Sequence, residues 1–168
     1  MAHLIKNGVA ASDSWQILEL AEGESPEAIA LPDGDVIFPL AVWLARKDEI
    51  RTRPTIGLLL QPADRVEDIA GELASFALIA VNFPKFVDGR GYSTAALLRQ
   101  RYGYTGELRA VGDVLHDQLF FMRRVGFDSY ALKDGKNLPY AIEAAFKPFG
   151  DAYQGATDQA QPHFRRRA

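Results

Sequence analysis

The sequence predicts an α/β domain built on a parallel sheet. Three observations support this prediction: four apolar runs of strand length, segments between them with apolar residues at helical spacing, and Gly, Pro or Asp at most of the junctions. About four βα units of this kind resemble half of a (β/α)8 barrel, with an open, doubly wound sheet as the alternative. The predicted strands cover residues 55–60, 76–81, 107–111 and 128–132.

Before the first unit, residues 1–35 are polar and interrupted by Gly and Pro, which predicts an irregular N-terminal extension. One short strand is expected at 15–20, packed on the domain through Trp15, Ile17 and Leu20. The α/β domain is then expected to cover residues 36–150. Residues 151–168 contain few core-forming side chains and are predicted to be a mobile polar tail.

The helices are predicted from apolar spacing and from capping residues. Two of the expected helices cover 38–50 and 139–146. Asp64 is expected to cap another helix, and a further helix is expected to begin at Ser93. The remaining helix is expected to run from Asp113 to a stop at Gly126. Arg109 interrupts the third predicted strand. It is expected to form an ion pair with Glu107 or Asp128, with contact to a ligand as the alternative.

Composition excludes several classes of protein. The chain of 168 residues has 19 Lys and Arg against 22 Asp and Glu, a formal net charge of −3, so no nucleic-acid partner is expected. It has no cysteine, which excludes disulfide scaffolds, thiol redox chemistry, cysteine zinc sites and cysteine-ligated iron–sulfur clusters. No apolar run reaches the length of about 20 residues that spans a membrane, and no secretory signal is recognised, so a cytoplasmic protein is expected.

Polar residues follow the predicted strands. Ligands of parallel α/β sheets bind beyond the carboxyl ends of the strands, so these residues are expected to lie along one edge. They are Gln61, Asn82, Gly112, Asp113, Lys133 and Asp134.

The stretch that says most about function is residues 83–93, called here the 83–93 segment. Lys85 and Arg90 flank a turn at Asp88-Gly89, and Gly91 leads into a helix expected to begin at Ser93. Cationic side chains beside free backbone N–H groups attract an anion such as sulfite, sulfate or phosphate. The alternative is structural: Arg90 pairs with Asp88, and Ser93 caps its helix.

Acid–base catalysis is the third hypothesis at this edge. Lys85, Asp113 and His116 are candidate acid/base groups for a phosphorylated or carboxylated substrate. His116 can equally be a packing residue at the start of a helix. The pair Gly89-x-Gly91 lacks the third glycine of a dinucleotide fingerprint, and no acidic or His cluster has metal-ligand spacing, so no cofactor and no metal are expected.

Two blocks of this sequence resemble a known bacterial family. They are Asn82-Phe83-Pro84-Lys85-Phe86-Val87-Asp88-Gly89-Arg90-Gly91-Tyr92-Ser93 and Gly112-Asp113-Val114-Leu115-His116-Asp117-Gln118. The family is the bacterial domain-of-unknown-function 934 family, labelled as oxidoreductases involved in sulfite reduction, and the resemblance covers roughly residues 50 to 150. It implies Asp88, Gly89, Arg90, Gly91, Ser93, Asp113 and Gln118 as family residues.

The resemblance implies a pathway, assimilatory sulfite reduction, and sulfite reductase as a partner. Sulfite reduction itself needs an iron–sulfur cluster coupled to a haem-type group, which a chain without cysteine cannot ligate in the usual way. The leading hypothesis is therefore an accessory protein that binds a small anion. The alternatives are a half-barrel enzyme and an interaction module that contacts its partner through Phe86 and Tyr92. A homodimer is expected because a half-barrel leaves two sheet edges to be covered.

Overall fold

The computed structural model describes residues 3–133, 138–146 and 151–166. These residues form one mixed sheet of eight strands in the order β2-β1-β8-β7-β6-β5-β4-β3. The strands are β1 His3–Lys6, β2 Val9–Ala11, β3 Gln16–Ile17, β4 Val36–Pro39, β5 Gly57–Leu60, β6 Leu78–Phe83, β7 Glu107–Gly112 and β8 Ser129–Leu132.

Short helices connect the strands. The α-helices of the described residues are α1 Leu40–Ala45, α2 Lys47–Ile50, α3 Arg90–Ala96, α4 Leu119–Val125, α5 Leu138–Tyr140 and α6 His163–Arg166. 3₁₀ turns cover Val66–Ile69, Leu73–Ser75 and His116–Gln118, and π-helical turns continue α3 over Leu97–Arg101 and α5 over Ala141–Ala145.

The sheet is curled and open, which confirms the half-barrel but not its predicted size. Strands β3 to β8 are parallel and adjacent in chain order. A doubly wound sheet requires a reversal of strand order, which is missing between β3 and β8, so that alternative is wrong. The prediction of a four-unit, all-parallel sheet is also wrong, because β1 and β2 add an antiparallel hairpin beside β8.

The N-terminal segment supplies three strands: β3 lies within the short strand predicted at 15–20, whereas β1 and β2 were not predicted. Asn7 and Gly8 join β1 to β2 with φ angles of 51° and 80°, the conformation of a type I′ hairpin turn. The chain then passes from β2, at one edge of the sheet, to β3, at the opposite edge.

This crossing shows how strongly the sheet is curled. Eight strands about 4.8 Å apart would place the edge strands about 34 Å apart in a flat sheet. Residues 12–15 connect β2 to β3 and reach at most about 18 Å. The two edges therefore approach each other, and the crossing segment closes the gap between them.

Both faces of the sheet are buried. The larger core lies between the sheet and the helices and includes Phe38, Trp43, Phe83 and Phe127. On the other face a smaller core of Ile37, Leu59, Leu78, Ala80 and Val111 is covered by Trp15 from the crossing segment. Gly57 is required there, since a Cβ on it would lie 2.9 Å from the Trp15 ring and from Ile37.

Arg109 lies on the face of the sheet that Trp15 covers, called here the inner face. It forms the predicted ion pair with Glu107, which confirms that prediction. Its side chain is only 3% exposed and donates to Glu107 at 2.7 and 2.9 Å and to both Asp13 carboxylate oxygens at 2.9 Å. Lys6 completes the cluster with a 2.5 Å contact to Glu107. Through these ion pairs the crossing segment (residues 12–15) and β1 are both linked to β7.

Several predicted element boundaries are wrong for local reasons. The segment predicted as a helix from 38 begins with β4, because Val36, Ile37 and Phe38 are buried in the sheet. Asp64 precedes 3₁₀ turns instead of one long helix. The helix stop at Gly126 is confirmed, with a φ of 114°.

Residues 151–166 contact the helical layer. The backbone N–H of Thr157 donates to the Arg124 carbonyl at 2.9 Å, and the Arg124 guanidinium donates to the Gln154 carbonyl. Within this segment Asp151 pairs with His163 and Arg166. The boundaries proposed for the domain at 36–150 stay a prediction.

Candidate functional site

The residues that follow β5, β6, β7 and β8 meet along one edge, here called the carboxyl edge. Asn82 Nδ2 donates to Gln61 Oε1 at 2.8 Å, and Lys133 Nζ lies 3.5 Å from an Asp113 carboxylate oxygen. Gly112 has a φ of 94°, and a Cβ on it would lie 2.5 Å from Asn82 Oδ1. Asp134 lies outside the described residues.

In the 83–93 segment, Arg90 is paired with Asp88. Its Nε and Nη2 donate to the two carboxylate oxygens at 2.9 and 2.7 Å, and its backbone N–H donates to the same carboxylate at 3.2 Å. The hydrogen bond from Arg90 lowers the pKa of Asp88. The Arg90 side chain is 62% exposed. This pairing is the structural alternative that the sequence left open for Arg90.

The two glycines of this segment have different surroundings. Gly91 is buried, and a Cβ on it would lie 2.6 Å from the Phe83 ring, whereas a Cβ on Gly89 would meet nothing within 4 Å. Helix α3 begins at Arg90, so Ser93 lies within the helix and the predicted cap at Ser93 is wrong. Gly91 thus allows α3 to approach β6 closely.

Lys85, Phe86 and Val87 form an exposed turn before Asp88. Phe86 is 48% exposed and Val87 82% exposed. Within the described part of the chain, Lys85 makes no ion pair with a carboxylate. Tyr92, in contrast, packs edge-on against Phe83 at 5.3 Å, and burial raises its pKa.

The second family block forms a turn that differs from the predicted cap at Asp113. Leu115 is the N-cap of the 3₁₀ turn His116–Gln118, and its N–H donates to Gln118 Oε1 at 2.8 Å. The His116 ring packs edge-on against Tyr140, and its buried Nε2 has no hydrogen-bond partner among the described residues. No hydrogen bond between described residues joins His116 to Asp113 or Lys85.

A cavity that the sequence did not reveal opens at the carboxyl ends of β3, β4 and β5. Its volume is about 630 Å³, and its walls are mostly apolar with Glu19, Gln61 and Asp64 as polar members. Asp64 accepts a hydrogen bond from the Gln61 N–H at 2.7 Å. Burial raises the pKa of Asp64 despite this hydrogen bond. The signal for this site in the sequence is an Asp in the loop after a buried strand, which predicted only a helix cap.

Neither a metal-binding cluster nor a membrane span is present within residues 3–133, 138–146 and 151–166. This part of the chain holds no cluster of three His, Asp or Glu side chains that could bind a metal ion. None of its helices has both the length and the hydropathy of a membrane span.

Comparison with known proteins gives one match. The family described as "Bacterial protein of unknown function (DUF934)" matches residues 57–164, which include β5 to β8 and the 83–93 segment. No curated protein and no solved structure matches the chain. The match covers well over half of the chain, so this protein belongs to the bacterial DUF934 family of unknown function.

Proposed function

We propose that this protein is a cytoplasmic accessory protein of assimilatory sulfite reduction that binds a small anion at the 83–93 segment. One observation carries the proposal. The Asp88 carboxylate accepts three hydrogen bonds from Arg90, two from the guanidinium and one from the backbone N–H. The protein's own Asp88 carboxylate therefore accepts the hydrogen bonds that Arg90 would otherwise donate to a bound oxyanion.

The physical chemistry favours exchange at this position. An ion pair whose guanidinium is open to solvent contributes little to stability, so its carboxylate is displaced at low cost. The planar guanidinium donates two parallel hydrogen bonds to a tetrahedral or pyramidal oxyanion as readily as to a carboxylate. Lys85, three residues before Asp88 and exposed, adds a second positive charge. The remaining predicted contacts, Gly89, Gly91, Ser93, Asp113 and Gln118, stay family-based proposals.

The test is a thermal unfolding series with sulfite, sulfate and phosphate. We expect stabilisation of the natural protein, a larger stabilisation of Asp88→Asn because the competing charge is gone, and none of Arg90→Ala. A ligand present at 100 times its Kd contributes about 2.7 kcal/mol.

Arg65→Ala is the matched control for this series, since Arg65 and Glu67 form another exposed pair two residues apart. This variant should respond to the anions as the natural protein does. Equal stabilisation of Arg90→Ala and the natural protein would contradict the proposal, as would weaker binding by Asp88→Asn.

An accessory role follows from the absence of cysteine, because the chain has no thiolate for an iron–sulfur cluster. Sulfite reductase is the proposed partner and a homodimer the proposed assembly. Light scattering of the purified chain, alone and mixed with the reductase, measures both. A monomeric mass in both samples would remove both proposals.

A half-barrel enzyme is the second candidate, favoured by the cavity beside Asp64. A carboxyl group with a raised pKa in a largely apolar cavity is typical of an acid or base site. Turnover of a phosphorylated or carboxylated compound should then be lost in Asp64→Asn. Loss in Asp113→Asn or His116→Ala instead would indicate the acid–base groups predicted from the sequence, which are Lys85, Asp113 and His116.

A further inference from the structure

A second cavity lies away from the carboxyl edge, at the opposite end of β8. Its volume is about 440 Å³, within the range of about 300 to 1,000 Å³ that is usual for small-molecule sites. Phe127, Tyr130, Ile142 and Phe146 form its apolar wall. The hairpin turn at Asn7-Gly8 forms part of its border. The cavity is therefore a recess in the surface whose wall is largely aromatic.

Arg123 is the single basic residue on the wall of this cavity. Its Nε atom is buried and has no hydrogen-bond partner among the described residues. Its guanidinium lies 5.8 Å from the Phe120 ring centroid, and no carboxylate in the described part of the chain forms an ion pair with it. A half-buried cation without an ion-pair partner is costly, so Arg123 would stabilise an anion bound in this cavity.

The Asp128 carboxylate and the Tyr130 hydroxyl on the wall are already engaged. The Asp128 carboxylate accepts hydrogen bonds from Arg99 at 2.8 Å and from the Leu108 N–H at 2.9 Å. The Tyr130 hydroxyl donates to the Phe127 carbonyl at 2.7 Å. The charged donor left for a ligand is therefore the Arg123 guanidinium.

We infer that this cavity binds a small organic carboxylate with an apolar body. The carboxylate accepts charge-assisted hydrogen bonds from Arg123, and the apolar body packs against Phe127, Tyr130 and Phe146. A neutral molecule of the same shape leaves Arg123 without its anion, and an ammonium is repelled by it. The site is independent of the anion proposed at the 83–93 segment.

The experiment compares three probes of equal skeleton, 3-phenylpropionate, 3-phenylpropan-1-ol and 3-phenylpropan-1-amine, by titration calorimetry on the full chain. We expect the carboxylate to bind about tenfold or more tightly than the alcohol, the margin of a charge-assisted hydrogen bond. Arg123→Gln should lose that margin while its affinity for the alcohol is unchanged, and Arg123→Lys should keep most of it.

Two control variants separate this site from others. Arg101→Gln removes an Arg that also lies over a ring, that of Tyr102, and should leave binding of the carboxylate unchanged. Arg90→Ala should also leave it unchanged. Loss of binding in Arg90→Ala, equal affinity in Arg123→Gln and the natural protein, preference for the amine, or no saturable binding of 3-phenylpropionate would each overturn the inference. If Arg123→Gln is not folded by circular dichroism, failure of Arg123→Lys to bind the carboxylate overturns it instead.

Discussion

The two glycines of the 83–93 segment, Gly89 and Gly91, have different structural roles although they are only two residues apart. Gly91 faces the ring of Phe83, which is fully buried between β6 and the helices. Gly89 lies in open space. Gly91 is therefore explained by packing alone, whereas the conformation and surroundings of Gly89 would accept a side chain.

This difference predicts opposite outcomes for two matched substitutions. Gly91→Ala should lower the free energy of unfolding by about 1 to 3 kcal/mol, because the new methyl overlaps a ring that cannot move freely. Gly89→Ala, at a φ of −86°, should be neutral or slightly stabilising, because alanine restricts the unfolded chain. Urea unfolding of both variants measures the difference. Equal stability of the two would show that the Phe83 ring adapts.

At the scale of elements, the sequence predicts what is local and apolar. The runs that became β5, β6, β7 and β8 were recognised because each is mostly apolar, of strand length and largely buried. The stop of α4 at Gly126 was recognised because a left-handed conformation requires glycine there. The hairpin was also readable, because Asn7-Gly8 is a strong type I′ signal between apolar residues.

Other elements could not be predicted from local patterns. The short strand predicted at 15–20 is confirmed as β3, but its restriction to two residues depends on pairing with β4 and could not be predicted. In the same way, the cavity beside Asp64 forms from three separate strand ends. The pairing of Arg90 with Asp88 and of Arg109 with Glu107 was foreseen as an option, since each pair is two residues apart, whereas the contact of Arg109 with Asp13 spans most of the chain.

For the whole molecule, the buried cluster on the inner face links stability to pH. Burial by itself raises the pKa of Glu107, but hydrogen bonds from Lys6 and Arg109 outweigh this effect and leave the pKa below its ordinary value. Such a carboxylate stabilises the fold above its unfolded pKa of about 4.3. That contribution is lost as the pH falls through the folded pKa.

Glu107→Gln should therefore be less stable than the natural protein at pH 7, and the gap should shrink as the pH falls from 5 to 3. Urea unfolding at each pH measures both free energies. Glu67→Gln, at an exposed position, should follow the natural protein at every pH. A gap between Glu107→Gln and the natural protein that stays constant from pH 7 to pH 3 would contradict the assignment.

The pairing of β1 with β8 has a consequence for biosynthesis. His3–Lys6 leaves the ribosome long before its partner Ser129–Leu132, because the parallel strands β3 to β7 are synthesised between them. The sheet can grow strand by strand from β4 to β8 during translation, but the hairpin must wait for the last parallel strand before it can dock. Closure is thus a late, non-local step, which slows folding. Until it occurs, β8 presents a free edge to other chains.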